Sequence, residues 1–314
     1  MNTGEYALRA RVTQMGLRVR KVMRKPQFWF GFATLVPVLA YYILFSFRPI
    51  FRAFWMAVVD YKILHPKASE FVGLANFQQA FEYDLFWISV RNTLVYDGIY
   101  ILVQLPMAIF VSVCLTTVVR GRRFYQWAVF LPVVVSLVAV SLLFRMLMEP
   151  QHGTLNRIIR SLGMPTFPFL TSKKTALYSV IGVDLWKGLG YYVVLISTAM
   201  LNIPEEYYEA AKVDGASSWQ NFRHITVPLL SNTVALVLAL MVIYGLQVYT
   251  SVTVLPGEAG GPARATYVMN LLVVTEAFNY MRFGLATAIS FTLFLFILLV
   301  TVIQLRLTRR AWTY

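Results

Sequence analysis

The sequence predicts an all-α polytopic membrane protein of six transmembrane helices, on three observations. Of its 314 residues, 58% are hydrophobic and only 13% charged, roughly half the charged fraction of a soluble domain. The apolar residues fall in blocks long enough to cross a bilayer, which takes ~20 residues as helix. Basic residues crowd beside those blocks: Arg9, Arg11, Arg18, Arg20, Lys21, Arg24 and Lys25 all precede the first one. That placement sets orientation in a membrane, so the net charge of +14 speaks for topology and no nucleic-acid partner is expected. Cys114 stands alone and excludes a disulfide framework. His65, His152 and His224 have no metal-ligand spacing. No catalytic residue, metal or bound cofactor is expected in this chain.

Residues 1–27 form a basic segment in which Leu8, Val12, Met15, Val19 and Val22 recur at helical spacing. An interfacial helix against membrane lipid fits that pattern, and a solvated basic tail is the alternative. No small-x-small site follows the first apolar block, so it is read as retained. The six spans fall at about 28–47, 90–118, 125–147, 176–200, 227–250 and 283–305. A cytoplasmic start then returns the C-terminus to the cytoplasm. Arg120, Arg122, Arg123, Lys212, Arg223, Arg306, Arg309 and Arg310 agree with that topology. Arg157, Arg160, Lys173 and Lys174 run against it, in a loop long enough to cross with its charges.

Residues 202–228 interrupt the apolar pattern with a structured polar loop. Pro204 pre-sets a first helical turn, and Glu205 and Glu206 complement its dipole. Asp214-Gly215 ends that helix. Ser217 and Gln220 have capping-box spacing for a second one, which Pro228 breaks as the next span begins. Ala210, Ala211 and Ala216 keep the bend small enough for another backbone to approach. An interfacial elbow without a partner is the plainer alternative.

Glu209-Ala210-Ala211, Asp214-Gly215-Ala216, Phe222, Ile225 and Pro228 resemble the EAA loop of binding-protein-dependent ABC importer permeases. The likeness is strongest to the carbohydrate-uptake, maltose-type branch, and to the first of its two permease subunits. It extends through Phe71–Phe77 (FVGLANF), Asn92-Thr93, Leu131-Pro132, Gly153, Asn156, Gly163, Gly260-Gly261-Pro262, Ala277-Phe278, Gly284, Ala286, Ala288 and Ser290. The resemblance implies a type I importer architecture in the bacterial inner membrane, with residues 28–314 as the permease domain. It implies that Glu209, Ala210, Ala211, Asp214, Gly215, Ala216 and Phe222 dock on a cytoplasmic ATPase. It further implies two ATPase subunits that bind ATP and Mg, a second six-span permease and an external solute-binding protein. No GxxxxGK[ST] phosphate loop occurs in this chain, so ATP hydrolysis belongs to a partner.

Polar groups inside spans are costly and mark function. Asp184, Lys187, Gly188 and Tyr191 fall at i, i+3, i+4 and i+7 of the fourth span. They offer a sugar hydrogen-bonding groups, an aromatic surface and close backbone approach. Maltose-type permeases contact sugar in the same place, with Trp186, Gly188 and Tyr191 matching. By the same likeness the fifth-span contacts are Met241, Tyr244, Gly245 and Val248, with Gln247 beside them. Tyr96, Asp97, Tyr100, Asn270, Asn279 and Tyr280 are looser candidates. The family's asparagine-rich fifth-span segment is absent, and Asp184 and Lys187 stand where neutral residues are usual. These two either pair with each other, or Lys187 offers a cation to an acidic, uronate-containing oligosaccharide. The expected function is import of a sugar or oligosaccharide. A stand-alone secondary transporter or channel is the alternative, although no internal repeat supports it.

Overall fold

The computed structural model describes residues 25–63, 65, 69–117, 121–257 and 260–308. The basic segment and its expected interfacial helix lie outside the described residues, as do Arg120, Arg309 and Arg310. The chain divides into two units, Met1–Met56 and Ala57–Tyr314. The first holds nearly all of α1 (Pro26–Ala57), which ends ten residues beyond the span expected to stop at 47. It carries Pro37 and relaxes into a π-turn over Ile43–Phe47. None of its side chains is buried as far as Phe47.

The second unit opens on a short antiparallel hairpin, β1 (Val59–Asp60) with β2 (Glu70–Phe71), leading into α2 (Ala75–Glu82). The FVGLANF stretch gains a physical reason here. Asn76 Nδ2 donates to the carbonyls of Ala57 and Val59, both at 3.0 Å, and so fixes the hairpin to α2.

The bundle itself comprises α3 (Asp84–Thr117), the pair α4 (Arg122–Val134) and α5 (Leu137–Leu147), α7 (Ala176–Leu201), α10 (Ser231–Leu246) and α13 (Phe283–Thr308). Between them lie α6 (Thr154–Ser161), α8 (Glu205–Val213), α9 (Ser218–Asn221), α11 (Thr250–Val254) and α12 (Met269–Val274). Among the described residues five helices are long and apolar enough to cross a membrane, and the bent α4–α5 pair makes six when counted as one broken span.

The third span departs from the continuous helix expected over 125–147. It bends by 93° between α4 and α5, at a break three residues beyond Pro132, which α4 carries inside its last turn. Val135 and Ser136 then run extended, with ψ of 142° and 132°. The fifth span begins at Ser231 rather than 227 and stops at Leu246. Tyr249 breaks it with φ −144° before α11 continues. Pro228 sits in a single helical turn, Val227–Leu229, after a π-turn over Phe222–Thr226. The chain therefore curves into the span instead of snapping at the proline.

α7 is the central element, packed against α3, α4 and α10, while α13 lies against α10 and α2. Tyr96 reaches Asp184 and Ser112 reaches the Val193 carbonyl, so α3 and α7 run in the same direction. Exposed apolar side chains such as Leu102, Phe110, Trp127, Val134 and Leu298 ring the bundle. A hydrocarbon-facing surface has that composition.

Candidate functional site

Sequence spacing put Asp184 and Lys187 on one face, and the structure separates them. A step of three residues leaves two side chains ~60° apart around a helix, and here that angle divides interior from cavity. Asp184 is fully buried. Its Oδ2 accepts the hydroxyls of Tyr96 from α3 and Ser251 from α11, each at 2.5 Å. Lys187 turns the other way, and its Nζ donates to the Val133 carbonyl at 3.3 Å. That carbonyl is among the last of α4, where a helix leaves acceptors unsatisfied and favours a cation. Among the described residues the two form no ion pair.

Lys187 lines a cavity of about 460 Å³ with Tyr100, Val133, Leu137, Gly188, Tyr191, Tyr192, Leu240, Ile243, Tyr244 and Gln247. Five helices, α3, α4, α5, α7 and α10, supply this wall, and the break after α4 lies between Val133 and Leu137. The aromatic surface is continuous. Tyr100 lies 5.4 Å from Tyr244 and 6.5 Å from Tyr192 between ring centroids, and Tyr191 lies 5.3 Å from Tyr192. Flat rings, phenol hydroxyls, one amide and one ammonium suit a polyhydroxylated solute.

Of the nine residues expected at the substrate, Lys187, Gly188, Tyr191, Tyr244 and Gln247 line this cavity. The other four stand behind its wall. Asp184 serves the α3–α7–α11 junction, and Met241 and Val248 are buried core. Gly245 lies where α10 crosses α3, and a Cβ there would fall 2.1 Å from Asp97 Oδ1. Asp97, a looser candidate, is buried at that crossing, while Tyr96 is committed to Asp184. Trp186 points away and packs on Phe144, ring centroids 5.4 Å apart. Asn270 donates to the Gln247 carbonyl at 2.6 Å and borders a second groove of about 490 Å³ that shares Ile243 and Gln247. Asn279 and Tyr280 are exposed at the entry to α13. Tyr192, Leu240 and Ile243 were missed because isolated apolar and tyrosine positions inside a span look like core.

The polar loop forms as two helices about a bend. Gly215, at φ 77°, closes α8 in a Schellman turn. Ala216 N donates to Ala211 O at 2.9 Å, and Gly215 N donates to Lys212 O at 3.1 Å. The capping box forms at α9, with Ser217 N to Gln220 Oε1 at 2.7 Å and Gln220 N to Ser217 Oγ at 3.4 Å. Tyr208 and Thr226 join the two arms by a 2.9 Å hydroxyl pair. Glu209, Ala210, Asp214 and Gly215 are exposed along this hook, with Ala211, Ala216 and Phe222 half-buried beneath. Val213 and Trp219 stand out as exposed apolar side chains beside it.

Residues 86–313 match the family described as "Binding-protein-dependent transport system inner membrane component". The chain belongs to that family. It is therefore the non-catalytic permease subunit of a binding-protein-dependent ABC importer, and the secondary-transporter alternative is set aside. The permease is 31% identical over 281 residues to the probable ABC transporter permease protein YurN of Bacillus subtilis, covering 87% of this chain and 93% of that one. It is 31% identical over 276 residues to the diacetylchitobiose uptake system permease protein NgcF of Streptomyces coelicolor, covering 84% and 78%. In fold it is similar to the crystal structure of a bacterial ABC transporter involved in import of the acidic polysaccharide alginate. That match has a TM-score of 0.83 at 24% identity, over 94% of this chain and 100% of the other.

Proposed function

We propose that this permease translocates an oligosaccharide carrying carboxylate groups, delivered by an external solute-binding protein. A second six-span permease completes the pathway. Two cytoplasmic ATPases holding ATP and Mg drive it through the loop at 202–228, with both termini of this chain on the cytoplasmic side. The observation that carries the reading is Lys187, a cation in an otherwise aromatic and neutral cavity. Its present acceptor is one neutral carbonyl at 3.3 Å. A carboxylate in the cavity gives it a charge-assisted bond, roughly twice as strong as a neutral one. The tyrosines accept the sugar's C–H faces, and Gln247 is free to read a hydroxyl. A relative named for diacetylchitobiose uptake and a structural neighbour named for alginate import support the oligosaccharide class and its acidic branch.

The test is uptake by the assembled transporter in proteoliposomes, with its binding protein, of uronate and neutral oligosaccharides of equal length. Uptake of the uronate series, lowered about tenfold or more in Lys187→Met with neutral uptake unchanged, is the expected result. Preference for neutral sugars, or equal loss of both in Lys187→Met, overturns the acidic reading.

A further inference from the structure

A second, wholly different recess lies among α2, α3, α10, α12 and α13. It has a volume of about 260 Å³ and is walled by Phe81, Phe86, Trp87, Val90, Thr93, Leu94, Leu246, Met269, Thr292 and Phe296. It shares no residue with the cavity that holds Lys187. Every polar group in its wall is already satisfied. The Trp87 indole donates to the Phe81 carbonyl at 2.8 Å. Thr93 donates to Ser89 O at 2.7 Å and accepts from Met269 N at 3.0 Å. Thr292 donates to Ala288 O at 2.9 Å. An occupant needs no hydrogen bond here, so the recess suits a hydrocarbon chain and offers nothing to a sugar.

A cation stands beside this recess. Arg91 falls four residues after Trp87 and three before Leu94, on the same strip of α3. It is exposed and makes no hydrogen bond or ion pair among the described residues. Trp87 and Leu94 beside it are exposed as well. A guanidinium without a protein partner, exposed at the head of a spanning helix beside an apolar recess, is placed to take a lipid phosphate at the membrane interface. We infer that this recess binds one anionic phospholipid, an acyl chain filling the groove between α3 and α13 and the headgroup phosphate on Arg91. The site is at the end of the bundle opposite the 202–228 loop, since α3 begins where α7 begins. The inference is independent of which solute the permease carries.

The test is native mass spectrometry of the assembled transporter from nanodiscs of phosphatidylglycerol or of phosphatidylcholine. The wild type is expected to retain phosphatidylglycerol about tenfold better than phosphatidylcholine. Arg91→Ala loses that preference and Arg91→Lys keeps much of it, while Leu94→Trp fills the groove and loses both lipids. Arg91 is exposed, so Arg91→Ala assembles normally, which its melting temperature verifies. Equal retention by wild type and Arg91→Ala overturns the inference. So does a photo-crosslinker at position 94 that labels only the partner permease, because the groove then holds protein.

Discussion

Substituting Gly245 decides between two accounts of one residue. Family likeness makes it a substrate contact, whereas the packing makes it the point where α10 touches α3. Gly245→Ala places a methyl group 2.1 Å from Asp97 Oδ1, 3.0 Å from its Cγ and 3.2 Å from its Cα. The carboxylate oxygen must move by more than 1 Å to reach van der Waals distance, and Asp97 is only 7% exposed, so no open space receives it. The clash with the Asp97 backbone cannot be relieved by a rotamer change, and the helices must part by a few tenths of an ångström. Overpacking of this kind costs about 1–3 kcal/mol, or one to two orders of magnitude in the equilibrium that keeps the two helices packed. The assay is thermal melting of the purified assembly, with uptake KM measured below the melting range. Gly245→Ala lowers the melting temperature while KM changes little. Adding Asp97→Ala removes the two closest clashes and recovers most of the loss. A variant that melts like wild type but binds its substrate more weakly refutes the packing account.

Other perturbations have equally definite outcomes. Asn76→Ala leaves the carbonyls of Ala57 and Val59 without their donor and costs about 2–4 kcal/mol, read as earlier melting and faster proteolysis at the hairpin. Glu209→Trp or Gly215→Val leaves the chain inserted but separates ATP hydrolysis from uptake; normal coupling in either removes the role assigned to the loop. Arg282 lies 3.6 Å from the buried Glu276. Burial raises the pKa of that carboxyl above its ordinary value, with Arg282 opposing the rise. Arg282→Ala leaves an unpaired buried acid and costs ~3 kcal/mol at neutral pH, the low end for such pairs because Arg282 is half exposed. A raised acid pKa contributes stability at low pH that is lost as pH climbs past the unfolded value of 4.5. The variant is therefore rescued by acidification, and Glu276→Gln in the same chain abolishes that pH dependence.

Long apolar runs made the spans legible, and local chemistry made the 202–228 loop legible. The capping box at Ser217 and Gln220 and the glycine at 215 act within a few residues, so their geometry follows from spacing alone. What failed depended on neighbours far along the chain. Pro132 was visible, but the 93° bend beyond it lies where α4 packs on α7, a neighbour far along the chain. Lys187 and Asp184 were legible as unusual charges. Their separation was not, because it depends on Tyr96, 88 residues from Asp184, and Ser251, 67 residues from it. Gly245 reads in the sequence as a gap left for a ligand, and in the structure Asp97 Oδ1 stands 2.1 Å from where its Cβ would fall. A glycine in a span records close approach without naming what approaches.

The bond between Lys187 and Val133 ties the aromatic cavity to the break in the third span. Without it, the ammonium has no acceptor and the end of α4 keeps an unmet carbonyl inside the membrane, each costly in hydrocarbon. A carboxylate entering the cavity competes for the same ammonium. When it wins, the carbonyl of Val133 must find water or a sugar hydroxyl, both of which arrive with the solute. If the proposed acidic solute binds here, its entry and release of the α4 end are linked through one atom. The linkage has a measurable sign. Lys187→Met removes the competition, so solvent exchange at the amides following the Val135–Ser136 break becomes insensitive to an acidic oligosaccharide. In the wild type the same oligosaccharide changes that exchange. Identical exchange in wild type with and without the solute, under conditions where uptake proceeds, would falsify the link.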